Sequence, residues 1–233
     1  MRIFHKFLAV FEIYISRNPE KKYFPDFSSR LHFQLIREST GVLHVGAHIG
    51  QERESYANAE TDVIWFEAIP DVYEQLLINI GCFPNQKAIC ALLGDKDHEI
   101  QPFYISSNSS ESSSIFNFKE KEFSGVKMTK QIQLEMVRMD SILSESDVQK
   151  HNHLVVDVQG AELKVLLGMG KLLTHIQSIQ TEVSTIQIYE NAVLYQELRS
   201  FLSKNGFMPL WEPEIKDHTD ILFVRKSNIR EAF

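Results

Sequence analysis

From residue 42 onward the chain alternates between short apolar runs and longer stretches of helical spacing. Val42 to Val45, Val63 to Glu67, Lys87 to Leu92, Leu154 to Val158 and Ile176 to Val183 are nearly all apolar, the pattern of parallel strands buried on both faces. Between them lie the amphipathic stretches Gln51 to Ala59, Pro70 to Ile80, Ala161 to Leu173 and Ala192 to Lys204. Pro70 suits a first helical turn and Gly206 a helix stop. The alternation predicts an α/β fold with a doubly wound, mostly parallel sheet.

Two segments break the rhythm. Glu99 to Ser106 alternates weakly and is expected to pair antiparallel with Gln131 to Val137. The polar run Ser106 to Ser114 lies between them and reads either as a flexible loop or as a lid over a site. At the other end, Phe207 to Trp211 and Asp220 to Arg225 are expected to form an antiparallel hairpin that closes the sheet.

Residues 1–40 read as a helical extension, interrupted at Asn18-Pro19 and Phe24-Pro25. Residues 41–233 form the single domain that follows. Leu31, Phe33, Leu35 and Ile36 are expected to cover one flank of the sheet. Phe4, Phe7, Phe11 and Tyr14 recur at helical spacing and read as a packing face. Met1 to Ile15 carries Arg2, His5, Lys6 and Glu12, which makes it a poor signal peptide and too short to span a bilayer. It reads as a helix packed on the domain or on a second copy of the chain, and the protein as cytoplasmic.

Composition narrows the function only by exclusion. A net charge of -7 argues against a surface built to grip nucleic-acid phosphate or an anionic membrane. Cys82 and Cys90 are the chain's two cysteines, and they imply neither a disulfide framework nor a CxxC metal site.

The chemistry starts at Val42-Leu43-His44-Val45-Gly46-Ala47-His48-Ile49-Gly50-Gln51-Glu52, a strand that runs through a glycine turn into a helix start. Ligands bind beyond the carboxyl end of such a strand. A dinucleotide turn needs glycine where His48 stands, and a phosphate loop needs Lys-Ser or Lys-Thr after the turn. What remains is a G-x-x-x-G turn with Glu67 at the end of the next strand. That carboxylate can accept the two ribose hydroxyls of an adenosyl ligand, or cap the helix at Pro70. Asp157 ends another buried strand, ahead of Gly160 and a helix, and should face the same crevice. Glu182 ends a further strand and reads as a pocket wall or a satisfied strand-end carboxylate. Tyr189 and Trp211 are candidate pocket walls.

Four stretches together resemble the FkbM-type family of class I S-adenosylmethionine-dependent methyltransferases: HVGAHIG (44–50), VIWFEAIPDVYEQLLINI (63–80), VRMDSIL (137–143) and LVVDVQGAELKVLLG (154–168), with Ser-Ser-Ser-Ile at 112–115 between them. The resemblance implies a Rossmann-like, seven-stranded sheet and S-adenosylmethionine as cofactor. It implies that His44, Gly46, Ala47, His48 and Gly50 wrap the methionyl part, with Glu52 near. Glu67, with Ala68 beside it, would hold the ribose, and Ala91, Leu92 and Leu93 would lie against adenine. Asp157 would face the methionyl and acceptor region. The sequence departs from the family at His44, His48 and Gln159, where Asp, Asn and Glu are usual.

Methyl transfer to a hydroxyl needs in-line positioning and a base for the acceptor proton. Asp157 or His48 is the expected base, and a hydroxyl of a saccharide or secondary metabolite the expected acceptor, with no metal required. Two alternatives stay open. One is a metal-dependent enzyme using His44, His48 and Glu52, or the His-x-His at 151 and 153. The other is a methyltransferase-like protein that binds without catalysing.

Overall fold

The computed structural model describes residues 25–121, 123–210 and 215–227, with side chains from residue 32 onward. The expected helix at Met1 to Ile15, its aromatic face, its contact with a second copy, and Trp211 lie outside the described residues.

The strands are β1 (Val42–Val45), β2 (Val63–Glu67), β3 (Gln86–Cys90), β4 (Leu92–Leu93), β5 (Glu99–Ser106), β6 (Met128–Val137), β7 (His153–Val156), β8 (Ser178–Ser184), β9 (Phe207–Pro209) and β10 (His218–Arg225). The helices are α1 (Pro25–Glu38), α2 (Arg53–Asn58), α3 (Pro70–Ile80), α4 (Met139–Ile142), α5 (Glu145–Gln149), α6 (Glu162–Gly168) and α7 (Tyr195–Lys204), with a 3-10 turn over Gly170–His175. Seven strands form the main sheet in the order β3-β2-β1-β7-β8-β10-β9. All neighbours are parallel except β10, which runs against β8 and β9. The seven-stranded, doubly wound expectation holds, and so does the C-terminal pairing. Among the described residues no helix is long and apolar enough to cross a membrane.

Residue alternation along the strands divides the core. Leu43, Val45, Ile64, Phe66, Leu154 and Val156 face a layer that includes Val165, Leu166, Leu198 and Leu202. Val42, Val63, Trp65 and Val155 face Ile36, Tyr56, Leu76 and Ile80 on the opposite side. Ile36 and the half-buried Phe33 thus cover the flank expected of them. Burying a side chain of this size contributes about 1.5–3 kcal/mol each, which is why the strands' apolar runs were readable.

The chain reverses direction across the sheet between β1 and β7: it runs outward through β2 and β3, then returns to the other side of β1. The carboxyl ends of β1 and β7 therefore flank the crevice where ligands bind in open α/β sheets.

Several boundaries differ from expectation. The run Lys87 to Leu92 is not one strand: the chain leaves the main sheet after Cys90, and Leu92–Leu93 pairs with Met136 and Val137 in a small sheet of order β4-β6-β5. The helix expected over Ala161 to Leu173 stops at Gly168 because α6 approaches another backbone there. A Cβ at Gly168 would sit 1.9 Å from the Gly94 carbonyl oxygen, and Gly170 then turns with φ +51°. The helix expected from Ala192 starts at Tyr195. The pairing of Glu99–Ser106 with 131–137 is found as predicted, within a longer β6.

Candidate active site

The turn after β1 is held by backbone geometry. Gly46 has φ +84°, and its N–H donates to the Phe66 carbonyl at 3.0 Å. Asp157 N–H donates to the Val45 carbonyl at 3.0 Å, so the ends of β1 and β7 close on each other without side-chain help. Ala47 is buried, and Gly50 packs under α3, where a Cβ would meet Leu76 at 2.7 Å. Gly50 therefore supports the turn from below and does not line the cleft.

Glu67 sits at the end of β2, 6% exposed. Its Oε2 accepts the His48 N–H and its Oε1 the Ile69 N–H, each at 2.8 Å. The carboxylate thus orients the turn before α3 and fixes the β1 turn as well. His48 takes the left-handed conformation, φ +47°, with its N–H directed at Glu67. Burial pushes the Glu67 carboxyl up, and the two backbone donors pull it back. A carboxylate has about four acceptor positions, so Glu67 keeps capacity for further donors.

An apolar cleft opens beside these groups. Gly46, His48, Glu67, Ala68, Ala91, Leu92, Leu93 and Asp157 all line it. The opposite wall is formed by Phe103 of β5 and Ile115, which sequence reasoning missed, and by Ser110, Glu111 and Ser113 of the serine run, whose lid reading this position supports. That run is ordered: Ser106 N–H donates to Ser113 Oγ at 3.0 Å, Asn108 Nδ2 donates to Ser112 Oγ at 3.0 Å, and Ser114 is 1% exposed. Serine and asparagine side chains replace backbone partners here, so a polar composition coexists with a fixed shape.

A second, polar recess joins the cleft at Gly46, His48 and Asp157 and carries His44, Ala47 and Glu52 on its wall. Glu182, Glu111, Gln159 and His218 also face it, and among the described residues no Lys or Arg lines it. Asp157 is exposed to the recess, and the protein packed around its remaining sides pushes its carboxyl up to about 6, with the charges of Asp220 and Glu52 adding to the effect and the Gln159 hydrogen bond opposing it. Glu182 is pushed up to about 8 by burial, then by Asp157, Glu162 and Asp220. Glu162, 3% exposed behind them, is pushed up to about 7 by burial.

Glu182 makes a pH prediction. Its pKa is about 8 in the folded chain, above the ordinary 4.5, so the folded state favours its protonated form. That contribution is complete below about pH 4.5 and is lost as pH rises through 8. Glu182→Gln is therefore expected to gain several degrees of Tm over the parent between pH 5 and pH 9, measured by thermal melts of the cofactor-free chain.

The two histidines of the turn diverge. His44 points to the α2 side of the sheet: its Nδ1 lies 2.8 Å from the Tyr56 hydroxyl, and its ring stacks on Trp65 at 4.7 Å. Burial holds its pKa down to about 3, so the imidazole is neutral. It borders the polar recess and not the apolar cleft. His48 Nε2 lies 2.7 Å from the Ser109 carbonyl and its Nδ1 2.9 Å from Gln51 Nε2. Both ring nitrogens are committed, the first as donor to a carbonyl. The zinc face of His44, His48 and Glu52 is not assembled, and His153 bonds Ser178 while His151 bonds the Asp147 carbonyl. Among the described residues no group of three His, Cys, Asp or Glu could hold a metal ion.

A model of the methyltransferase FkbM domain matches residues 44–209, from the first strand through β9. The chain belongs to the FkbM methyltransferase family. It is therefore an S-adenosylmethionine-dependent methyltransferase. This FkbM domain is similar to the 2-O-methyltransferase NoeI of Sinorhizobium fredii, at 24% identity over 180 residues, covering 71% of this chain and 74% of that one. Two solved structures are also similar in part. Fibrillarin of Aeropyrum pernix, with natively bound S-adenosyl-L-methionine, is 13% identical, with 81% of this chain and 68% of that chain covered and a TM-score of 0.45. Magnesium protoporphyrin IX methyltransferase of Synechocystis is 10% identical, with 84% and 80% covered and a TM-score of 0.45.

Proposed function

We propose that this methyltransferase O-methylates a hydroxyl of a saccharide or similar polyhydroxylated metabolite, with Asp157 as general base. The observation that carries the reading is the position of Asp157. It is shared by an apolar cleft and a polar recess whose walls are carboxylates, amides, hydroxyls and the imidazoles of His44, His48 and His218, without a Lys or Arg among the described residues. Such a recess repels carboxylate and phosphate acceptors and offers many acceptors for hydroxyl donors. The similarity to a 2-O-methyltransferase points the same way.

The cleft suits the cofactor by its gradient of chemistry. Phe103, Ile115, Ala91 and Leu92 give an apolar slot of the kind adenine requires, Glu67 keeps free acceptor positions for ribose hydroxyls, and polar groups gather near Gly46 and Asp157. When bound, S-adenosylmethionine supplies an activated methyl group. The chain's own residues then position, exclude water and take a proton. Holding both reactants in line accounts for up to about 7–11 kcal/mol of barrier reduction in well-oriented systems. Asp157 Oδ1 is bonded to Gln159 at 2.6 Å, which leaves Oδ2 to accept the acceptor's hydroxyl proton. A carboxylate titrating near 6 is ionised at neutral pH and basic enough to do so. The serine run, with Ser110 and Glu111 on the cleft wall and Ser112 on the recess wall, shields the junction.

The test is product mass after incubation with methyl-labelled cofactor and panels of neutral, amino and acidic saccharides. A labelled methyl on oxygen of a neutral or amino sugar is expected. Methylation on nitrogen or carbon, or preference for the acidic panel, overturns the reading.

A further inference from the structure

Gln159 occupies a left-handed bend beside the site and is absent from the roles assigned so far. It follows β7 in the left-handed conformation, φ +54°, and is succeeded by Gly160 at φ +99°. Its side chain reaches three elements. The Nε2 amide donates to Asp157 Oδ1 at 2.6 Å and to Glu182 Oε2 on β8 at 3.3 Å. The Oε1 accepts the Tyr189 hydroxyl at 2.7 Å. Tyr189 is 5% exposed, stacks on Phe118 at 4.9 Å, and its hydroxyl also lies 3.2 Å from the Ser112 carbonyl. Ser114 Oγ donates to the Gln159 backbone carbonyl at 2.8 Å.

The chemistry of an amide explains the residue. One –NH₂ group carries two hydrogens, so it alone can bond two carboxylates at once, while its carbonyl takes the tyrosine proton. The reversed amide would set Oε1 against the ionised Asp157 at 2.6 Å, which fixes its orientation. A glutamate at this position has no hydrogen to offer when ionised.

We propose that Gln159 is a positioning residue whose amide clamps Asp157 and Glu182 together, presenting Asp157 to the acceptor with one oxygen bonded and the other free. The clamp is anchored on the far side by Tyr189, and through Tyr189 and Ser114 it is tied to the serine run that walls the cleft. Ordering of that run and placement of the base are thus one structural unit. Among the described residues, the other ionisable groups facing the pair are His32 of α1, His44 of β1, Glu52 ahead of α2, Tyr56 of α2, Glu162 of α6, Asp220 and His218 of β10, Glu111 of the serine run and His48 of the first turn. None of them bonds both carboxylates.

The inference rests on the reading that Asp157 meets the acceptor, but its test needs no acceptor. In the full chain labelled with ¹³C at Asp and Glu carboxyls, the Asp157 signal is followed from pH 4 to 9 and assigned by its loss in Asp157→Asn. Gln159→Met keeps length and removes both donors, and its Asp157 midpoint is expected about one pH unit above that of the parent, since a hydrogen bond to the ionised form is lost. Gln159→Glu is expected to shift it further by adding a charge. Tyr189→Phe, which frees only the anchor, is expected to shift it less in the same direction. An unmoved Asp157 midpoint in folded Gln159→Met, or in Gln159→Glu and Tyr189→Phe if the first does not fold, overturns the clamp. Because these midpoints are read without turnover, failure of the O-methyl reading leaves the outcome intact.

Discussion

Asp157→Asn is expected to lower turnover on the identified acceptor by about 10² to 10⁴-fold, the usual contribution of a positioned general base, while cofactor affinity stays within a few-fold. The substitution keeps shape and deletes one proton acceptor. The fold should tolerate it well. Asp157 has a folded pKa of about 6 against an ordinary 3.8, so its protonated form is favoured in the folded chain, and that contribution disappears as pH rises through 6. The neutral Asn side chain avoids this loss, and melts above pH 6 should show the variant at least as stable as the parent. His48→Gly supplies the contrast. It removes the other expected base at a left-handed position that glycine adopts freely. Because both ring nitrogens are already engaged, turnover should fall less than tenfold. A larger loss at His48 than at Asp157 would reverse the assignment.

Much of the sheet was legible because its central strands are buried on both faces. Val42–Val45 and Val63–Glu67 match their predicted bounds, since no alternative packing suits runs so uniformly apolar. The helix ends were less so. Gly168 reads as a tolerable helix residue, and only the backbone of Gly94 passing against it explains the break. The site divides in the same way. Glu67 and Asp157 were legible as carboxylates ending buried strands, where an unpartnered charge is too costly to be incidental. The recess had a signal that went unread: in Ser178–Ser184, polar Ser178, Gln180, Glu182 and Ser184 alternate with Ile179, Thr181 and Val183. One face of β8 is thus without an apolar cover, and Glu182 with Asp220 of β10 lies on it. His44 illustrates the opposite case. The resemblance implied a cofactor contact, and strand alternation places its ring with Trp65 and Tyr56, on the recess side. The Gln159 clamp was not legible, because its partners are 2, 23 and 30 residues away in sequence.

Glu67→Gln should be the most damaging conservative change for cofactor binding, with affinity falling by about 10² to 10³-fold if two charge-assisted bonds of about 1.5–3 kcal/mol each are weakened or lost. Both carboxylate oxygens already accept a backbone N–H. Whichever end of the new amide carries –NH₂ must face one of those donors, so one contact turns repulsive and a buried N–H is left unpaired, at about 1–3 kcal/mol of stability. The His48 end matters more. Its N–H bond to Glu67 is part of what holds a non-glycine residue at φ +47°, and releasing it loosens the turn on which the methionyl end of the cofactor is proposed to rest. Gly46→Ala separates the two effects. A Cβ there would lie 1.8 Å from the Asp157 carbonyl oxygen, and the clash is with backbone, so β1 and β7 must part at their ends. Gly46→Ala should therefore lose about 4 kcal/mol or more of stability, the range of the severest single substitutions, whereas Glu67→Gln should fold and bind poorly. Urea unfolding and calorimetric titration with S-adenosylmethionine and its demethylated product distinguish them, and wild-type affinity in a folded Glu67→Gln would remove the carboxylate from the cofactor site.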